Sequence, residues 1–147
     1  MLKQLVSAFR VAAAPEPEPA AAGAAGTILI ADDDPLLREL LQASLSRQGY
    51  RVIAVENGRL AVDGARKVLP DAVILDGSMP EMDGFEVLKQ LRRTRQTAGI
   101  PVIMLTMRDR HGDVLTGFRY GAQEYLTKPV TIEEVLNSLE TLLGRGR

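Results

Sequence analysis

Asp32, Asp33 and Asp34 stand together directly after the apolar run Thr27-Ile28-Leu29-Ile30-Ala31. Two carboxylates about 4 Å apart repel by roughly 4 kcal/mol at an effective dielectric near 20. Such a cluster calls for protonation or for a cation beside it. Other apolar runs end in residues of matching chemistry. Ala72-Val73-Ile74-Leu75 leads into Asp76, Pro101-Val102-Ile103-Met104-Leu105 into Thr106, and Glu124-Tyr125-Leu126-Thr127 into Lys128-Pro129. Carboxylates without histidine or thiol make a hard oxygen site suited to Mg²⁺ with several retained waters. A hydroxyl and an ammonium suit an anion held beside that metal. A carboxylate can itself take a phosphoryl group, forming an aspartyl phosphate. That transfer needs charge neutralisation by metal and lysine more than covalent help.

These residues meet only if the runs that carry them are strands of one sheet, and the pattern supports this. Short apolar, β-branched runs at 27–31, 51–55, 72–76, 100–105 and 123–127 alternate with segments of helical spacing. The helical segments lie at about 35–48, 57–68, 84–93, 109–120 and 131–143. Strand and helix alternating five times predict an α/β domain with a parallel sheet. Asp34-Pro35 reads as an N-cap with proline in the first helical position. Asp83-Gly84-Phe85-Glu86 and Thr131-Ile132-Glu133-Glu134 both fit a capping box. With Asp34 assigned to a cap, Asp32 and Asp33 remain at the carboxyl end of the first strand, where ligands of open α/β sheets bind.

Composition narrows the alternatives. The chain has 147 residues, 46% hydrophobic, with a formal net charge of -1. That length favours one domain with a real core. The balanced charge gives no electrostatic footprint for nucleic acid. There is no cysteine, which excludes disulfides, thiol catalysis and cysteine-ligated zinc. His111 is the single histidine and reads as a surface residue early in a helix. No apolar run approaches the ~18 residues of a membrane span, so a soluble, cytoplasmic protein is expected. Residues 12–26, AAAPEPEPAAAGAAG, read as a semi-rigid linker. Before it, Leu2, Leu5, Val6 and Phe9 fall at helical spacing, with Lys3, Gln4, Ser7 and Arg10 on the other face. Residues 1–11 are therefore a candidate amphipathic helix, a docking segment for a partner or a membrane surface; a frayed tail or misassigned start and a targeting peptide are the other readings.

Four stretches, ILIADDDPLLREL, PDAVILDGSMPEMDGFEVLKQLR, IPVIMLT and GAQEYLTKPV, occur in order along residues 27–143. Together they resemble the receiver domain of bacterial two-component response regulators. The resemblance implies a flavodoxin-like, doubly wound (βα)5 fold with strand order 2-1-3-4-5, spanning residues 27–147. It implies that Asp76 accepts phosphate from a histidine kinase or phosphotransfer protein, with Mg²⁺ held by Asp32, Asp33, Asp76 and the Ser78 backbone carbonyl. Lys128 would pair with phosphoryl oxygens, Thr106 would bond one of them, and Tyr125 would be the switch aromatic. The Lys128-Pro129 bond would be cis, essentially a proline phenomenon. Output would pass to a downstream protein through the 109–120 segment, the fifth strand and the last helix. The protein would be a phosphoacceptor rather than an enzyme, with self-catalysed phosphorylation and dephosphorylation as an added capacity. Only Gly144-Arg145-Gly146-Arg147 follows the last helix, so a stand-alone receiver is expected.

Four positions are singled out against the family pattern. Met107 replaces a usually small residue and is expected to crowd the phosphoryl pocket. Ser78 and Arg108 each lie two residues beyond a site residue, on the path of attacking water, and are expected to tune dephosphorylation. Val130 replaces an aromatic, with a packing consequence. Two other readings compete. Asp32 and Asp34 form an Asp-x-Asp pair after a first strand, as in haloacid-dehalogenase-like phosphatases, where such a pair supplies nucleophile and acid. A receiver serving as an unphosphorylated scaffold is the other, and the intact acidic cluster argues against it.

Overall fold

The computed structural model describes residues 24–107 and 121–144. Five strands, β1 (Gly26–Ala31), β2 (Tyr50–Val55), β3 (Ala72–Asp76), β4 (Val102–Thr106) and β5 (Glu124–Thr127), form one sheet in the order β2-β1-β3-β4-β5. Every pairing is parallel. Four helices connect and follow the strands: α1 (Pro35–Arg47), α2 (Gly58–Val68), α3 (Gly84–Arg93) and α4 (Ile132–Leu142). The expected helix at 109–120, with His111, and the expected helix and most of the linker at 1–26 lie outside the described residues.

Parallel strands covered on both faces read as continuous apolar runs, and alternation then divides each run between two layers. Leu29, Ala31, Val73, Leu75, Val102 and Met104 face one side, against Ala61, Val62 and Ala65 of α2 and Val87, Leu88 and Leu91 of α3. Ile28, Ile30, Ile74, Ile103 and Leu105 face the other, against Leu41 and Leu45 of α1 and Val135 and Leu139 of α4. Val130 packs, partly buried, against this second layer. β3 and β4 are buried along their whole length, whereas β5 is a half-buried edge.

Side chains close the helix starts. Asp34 accepts hydrogen bonds from the Leu36 and Leu37 amides, with Pro35 opening α1. Thr131 and Glu134 complete a capping box at α4. At α3 only half of the predicted box forms: Asp83 accepts the Glu86 amide, while the Glu86 carboxylate turns to Gln90 and Lys89. Partners one turn further along the helix outcompete the cap backbone for that side chain.

Chain order runs from β1 outward to β2, then back across β1 to β3. The crevice at this reversal opens beyond the carboxyl ends of β1 and β3, where Asp32, Asp33 and Asp76 stand.

Candidate phosphoacceptor and metal site

Asp32 follows the last residue of β1 and is fully buried. Its amide continues the sheet by donating to the Val55 carbonyl at 3.2 Å. Its Oδ1 accepts the Asp34 amide at 2.9 Å, and its carbonyl accepts Arg38 Nη1 at 2.8 Å. Backbone and carboxylate of Asp32 are thus both held. Asp33, next along, is exposed. Asp76 closes β3 with its side chain nearly buried, and its Oδ1 accepts the Ser78 amide at 3.2 Å.

One carboxylate oxygen from each of Asp32, Asp33 and Asp76 lies within 4.8 Å of the others. Lys128 bridges the two buried acids, its Nζ 3.1 Å from Asp32 Oδ2 and 3.3 Å from Asp76 Oδ2. The Asp32 Oδ2 contact is an ion pair without hydrogen-bond alignment, and that oxygen receives no other hydrogen bond. The ammonium is anchored from its own backbone, since the Lys128 amide donates to the Thr106 carbonyl at 2.7 Å. The Lys128-Pro129 peptide is cis.

The electrostatics follow from burial. Desolvation raises the Asp76 carboxyl to about 6, with Asp32 adding to the rise and the Ser78 amide and Lys128 opposing it. Burial pulls the Lys128 ammonium down, but Asp32 and Asp76 outweigh it, so its pKa is raised. Three carboxylates facing one ammonium leave an excess of negative charge. The donors are all oxygen, and exposed Asp33 leaves one side open to water. The site therefore fits a hard divalent cation such as Mg²⁺. The arrangement can hold such a cation and present one buried carboxylate beside a lysine to an incoming anion.

Thr106 ends β4, buried, beside β3. Tyr125 lies opposite Met104 in the β4–β5 register and packs partly buried against the first core layer. The Asp34 carboxylate is turned to the α1 amides, so the Asp32 and Asp34 pair does not form a shared phosphatase-type site. Met107 is exposed and lines a groove beside Lys128. Arg108 lies outside the described residues.

Several supporting residues were not singled out from sequence. A Cβ on Gly84 would collide with the Asp76 carbonyl, so the start of α3 sits directly against the phosphoacceptor candidate's backbone. A Cβ on Gly58 would collide in the same way with the Met82 carbonyl. Arg92, in the last turn of α3, donates to the carbonyls of Gly121 at 2.7 Å and Ala98 at 3.1 Å and to Gln123 Oε1 at 3.1 Å. Gln123 Oε1 also accepts the Val102 amide at 2.7 Å. This latch ties α3 to the ends of β4 and β5. Gly84 stood in the sequence only as part of the Asp83–Glu86 capping box, and Arg92 carried no signal.

Comparison with known proteins agrees with this geometry. The family model for the response regulator receiver domain matches residues 28–140. Protein PilH of Pseudomonas aeruginosa is 41% identical over 117 residues, 80% of this chain and 97% of that protein. Response regulator MprA of Mycolicibacterium vanbaalenii is 44% identical over 118 residues, 80% of this chain and 50% of that protein. The chain thus spans about half the length of some curated relatives it matches. The solved receiver domain of the sensor histidine kinase PA1611 of Pseudomonas aeruginosa superposes with a TM-score of 0.74 at 30% identity, covering 81% of this chain and 98% of that one. Magnesium is coordinated in that protein's active site cleft.

Proposed function

The chain belongs to the response regulator receiver domain family, and we propose that Asp76 is its phosphoacceptor, loaded from the phosphohistidine of a histidine kinase or phosphotransfer protein. An Asp76 carboxylate oxygen attacks phosphorus, the phosphorus–nitrogen bond breaks, and the departing imidazole regains its lone pair. The observation that carries this reading is the position of Asp76: nearly buried, at a strand end, with Lys128 Nζ 3.3 Å from its Oδ2. With a pKa of about 6, the carboxyl is largely ionised at neutral pH and still basic enough to act as a nucleophile.

Asp32, Asp33, Asp76 and the Ser78 carbonyl would hold Mg²⁺. When bound, the metal supplies the charge neutralisation that transfer of an anionic group to an anion requires. Lys128 pairs with the incoming phosphoryl oxygens, and the Asp32 ion pair holds it in place before and after transfer. Thr106 supplies a hydroxyl to the phosphoryl group, and Tyr125, on the neighbouring strand, responds to its movement. A contact on β5 and α4 passes the change to a downstream protein. Water admitted past Ser78 returns Asp76 to its free form. A cytoplasmic setting, where phosphohistidine is made from ATP, suits this cycle.

Phosphoramidate, a small donor with the same phosphorus–nitrogen bond, tests the reading. Incubation with Mg²⁺ should give a hydroxylamine-labile acyl phosphate that maps to Asp76 and is missing in Asp76→Ala. A label mapping to Asp32 or Asp34 would support the phosphatase reading instead.

A further inference from the structure

Helix α1 carries two apolar faces where a surface helix needs one. Leu41 and Leu45 enter the core, while Leu36 is 63% and Leu40 48% exposed. With Met107 they make three of the four large exposed apolar side chains among the described residues. Scattered singly, such residues need no explanation; gathered in one place, they mark a contact site. Here they line a groove of about 580 Å³ with Leu37, Pro129 and Val130. The groove adjoins the acidic site and shares Lys128 with it.

We propose that residues 2–10 of this same chain occupy the groove, laying Leu2, Leu5, Val6 and Phe9 against Leu36, Leu40 and Met107. The spacing of those four residues gives one apolar stripe on a helix, with Lys3 and Arg10 on its flank. The groove's wall carries one acidic side chain, Asp34, and one basic one, Lys128, and Arg38 and Glu39 stand on α1 between the exposed leucines. Reach is sufficient. The described chain enters the sheet at Ala25, whose amide donates to the Gly49 carbonyl, and the groove lies at the opposite end of β1. Six strand residues rise about 20 Å, whereas the alanine- and proline-rich residues from 11 to 24 extend to about 40 Å. A tether of this length gives an effective concentration in the millimolar range. Even a contact of millimolar affinity would then be about half populated. The inference does not depend on which residue carries the phosphoryl group.

The chain has no cysteine, so Ser7→Cys gives a single attachment point for a spin label, on the polar face of the segment. In the labelled 147-residue chain, methyl resonances of Leu36, Leu40, Met107 and Val130 should broaden, independently of protein concentration. Broadening should disappear in Phe9→Glu and in Leu36→Glu, the latter at an exposed position. No broadening would overturn the proposal. Broadening seen only when spin-labelled chains are mixed with separately isotope-labelled ones would overturn it too, assigning the groove to a second copy.

Discussion

Replacing Asp76 by Asn should stabilise the metal-free protein at neutral pH. The Asp76 carboxyl rises from 3.8 to about 6 on folding, chiefly because burial strips its water and secondarily because of Asp32. Each pKa unit is worth about 1.4 kcal/mol, so the ionised group costs the folded state about 3 kcal/mol at pH 7. The folded-state pKa lies above the unfolded one. The stability associated with the neutral acid is therefore complete below pH 3.8 and is lost as pH rises through about 6. Asparagine keeps the shape and can still accept the Ser78 amide but carries no charge. Lys128 retains Asp32, 3.1 Å away. Urea unfolding in the presence of a chelator should show Asp76→Asn more stable than wild type by about 1–3 kcal/mol at pH 7, with the gap closing towards pH 4. Added Mg²⁺ should stabilise wild type more than the variant, because it binds the folded site alone. A variant less stable than wild type at pH 7 under chelation would refute the reasoning. It would mean that the ion pair with Lys128 outweighs desolvation.

Other consequences are equally open to measurement. Gly84→Ala should destabilise by about 3 kcal/mol or more by urea unfolding, since the clash is with the Asp76 carbonyl rather than a pliable side chain. Arg92→Met keeps the apolar stem but strips donors from the Gly121 and Ala98 carbonyls; a loss of about 2 kcal/mol is expected in the same assay. Thr106→Ala should leave Asp76 phosphorylatable yet remove the change in amide exchange that beryllofluoride induces across β5, because the hydroxyl supplies the contact that differs between states.

Much of the site was legible because it sits where strands stop. Ile28 to Ala31, Ala72 to Leu75 and Val102 to Leu105 are covered on both faces, so their runs are unbroken and their ends unmistakable. The chemistry at those ends, Asp32, Asp76 and Thr106, could be read off directly. Asp34 was separable from its neighbours because Pro35 marks a helix start. What sequence could not show depends on contacts between elements distant in the chain. The Arg92 latch reaches 29 residues to Gly121, and nothing about an arginine in a last helical turn distinguishes it from a solvated one. Arg38, six residues past Asp32, meets its carbonyl only after α1 is laid down. The Glu86 half of the predicted capping box failed because Lys89 and Gln90 compete locally. The groove over Leu36 and Leu40 was hidden by the same periodicity that made α1 easy to recognise, since both of its apolar faces count towards one helical pattern.

Intact-mass measurement after incubation with phosphoramidate, with Mg²⁺ and with chelator, tests the proposed chemistry most directly. Wild-type protein should gain one phosphoryl group in Mg²⁺ and little in chelator, Asp33→Asn should lose most of the Mg²⁺ response, and Asp76→Asn should gain none. Equal labelling with and without Mg²⁺, or a full phosphoryl increment retained by Asp76→Asn, would contradict the assignment of Asp76 as acceptor within a metal site built by Asp32 and Asp33.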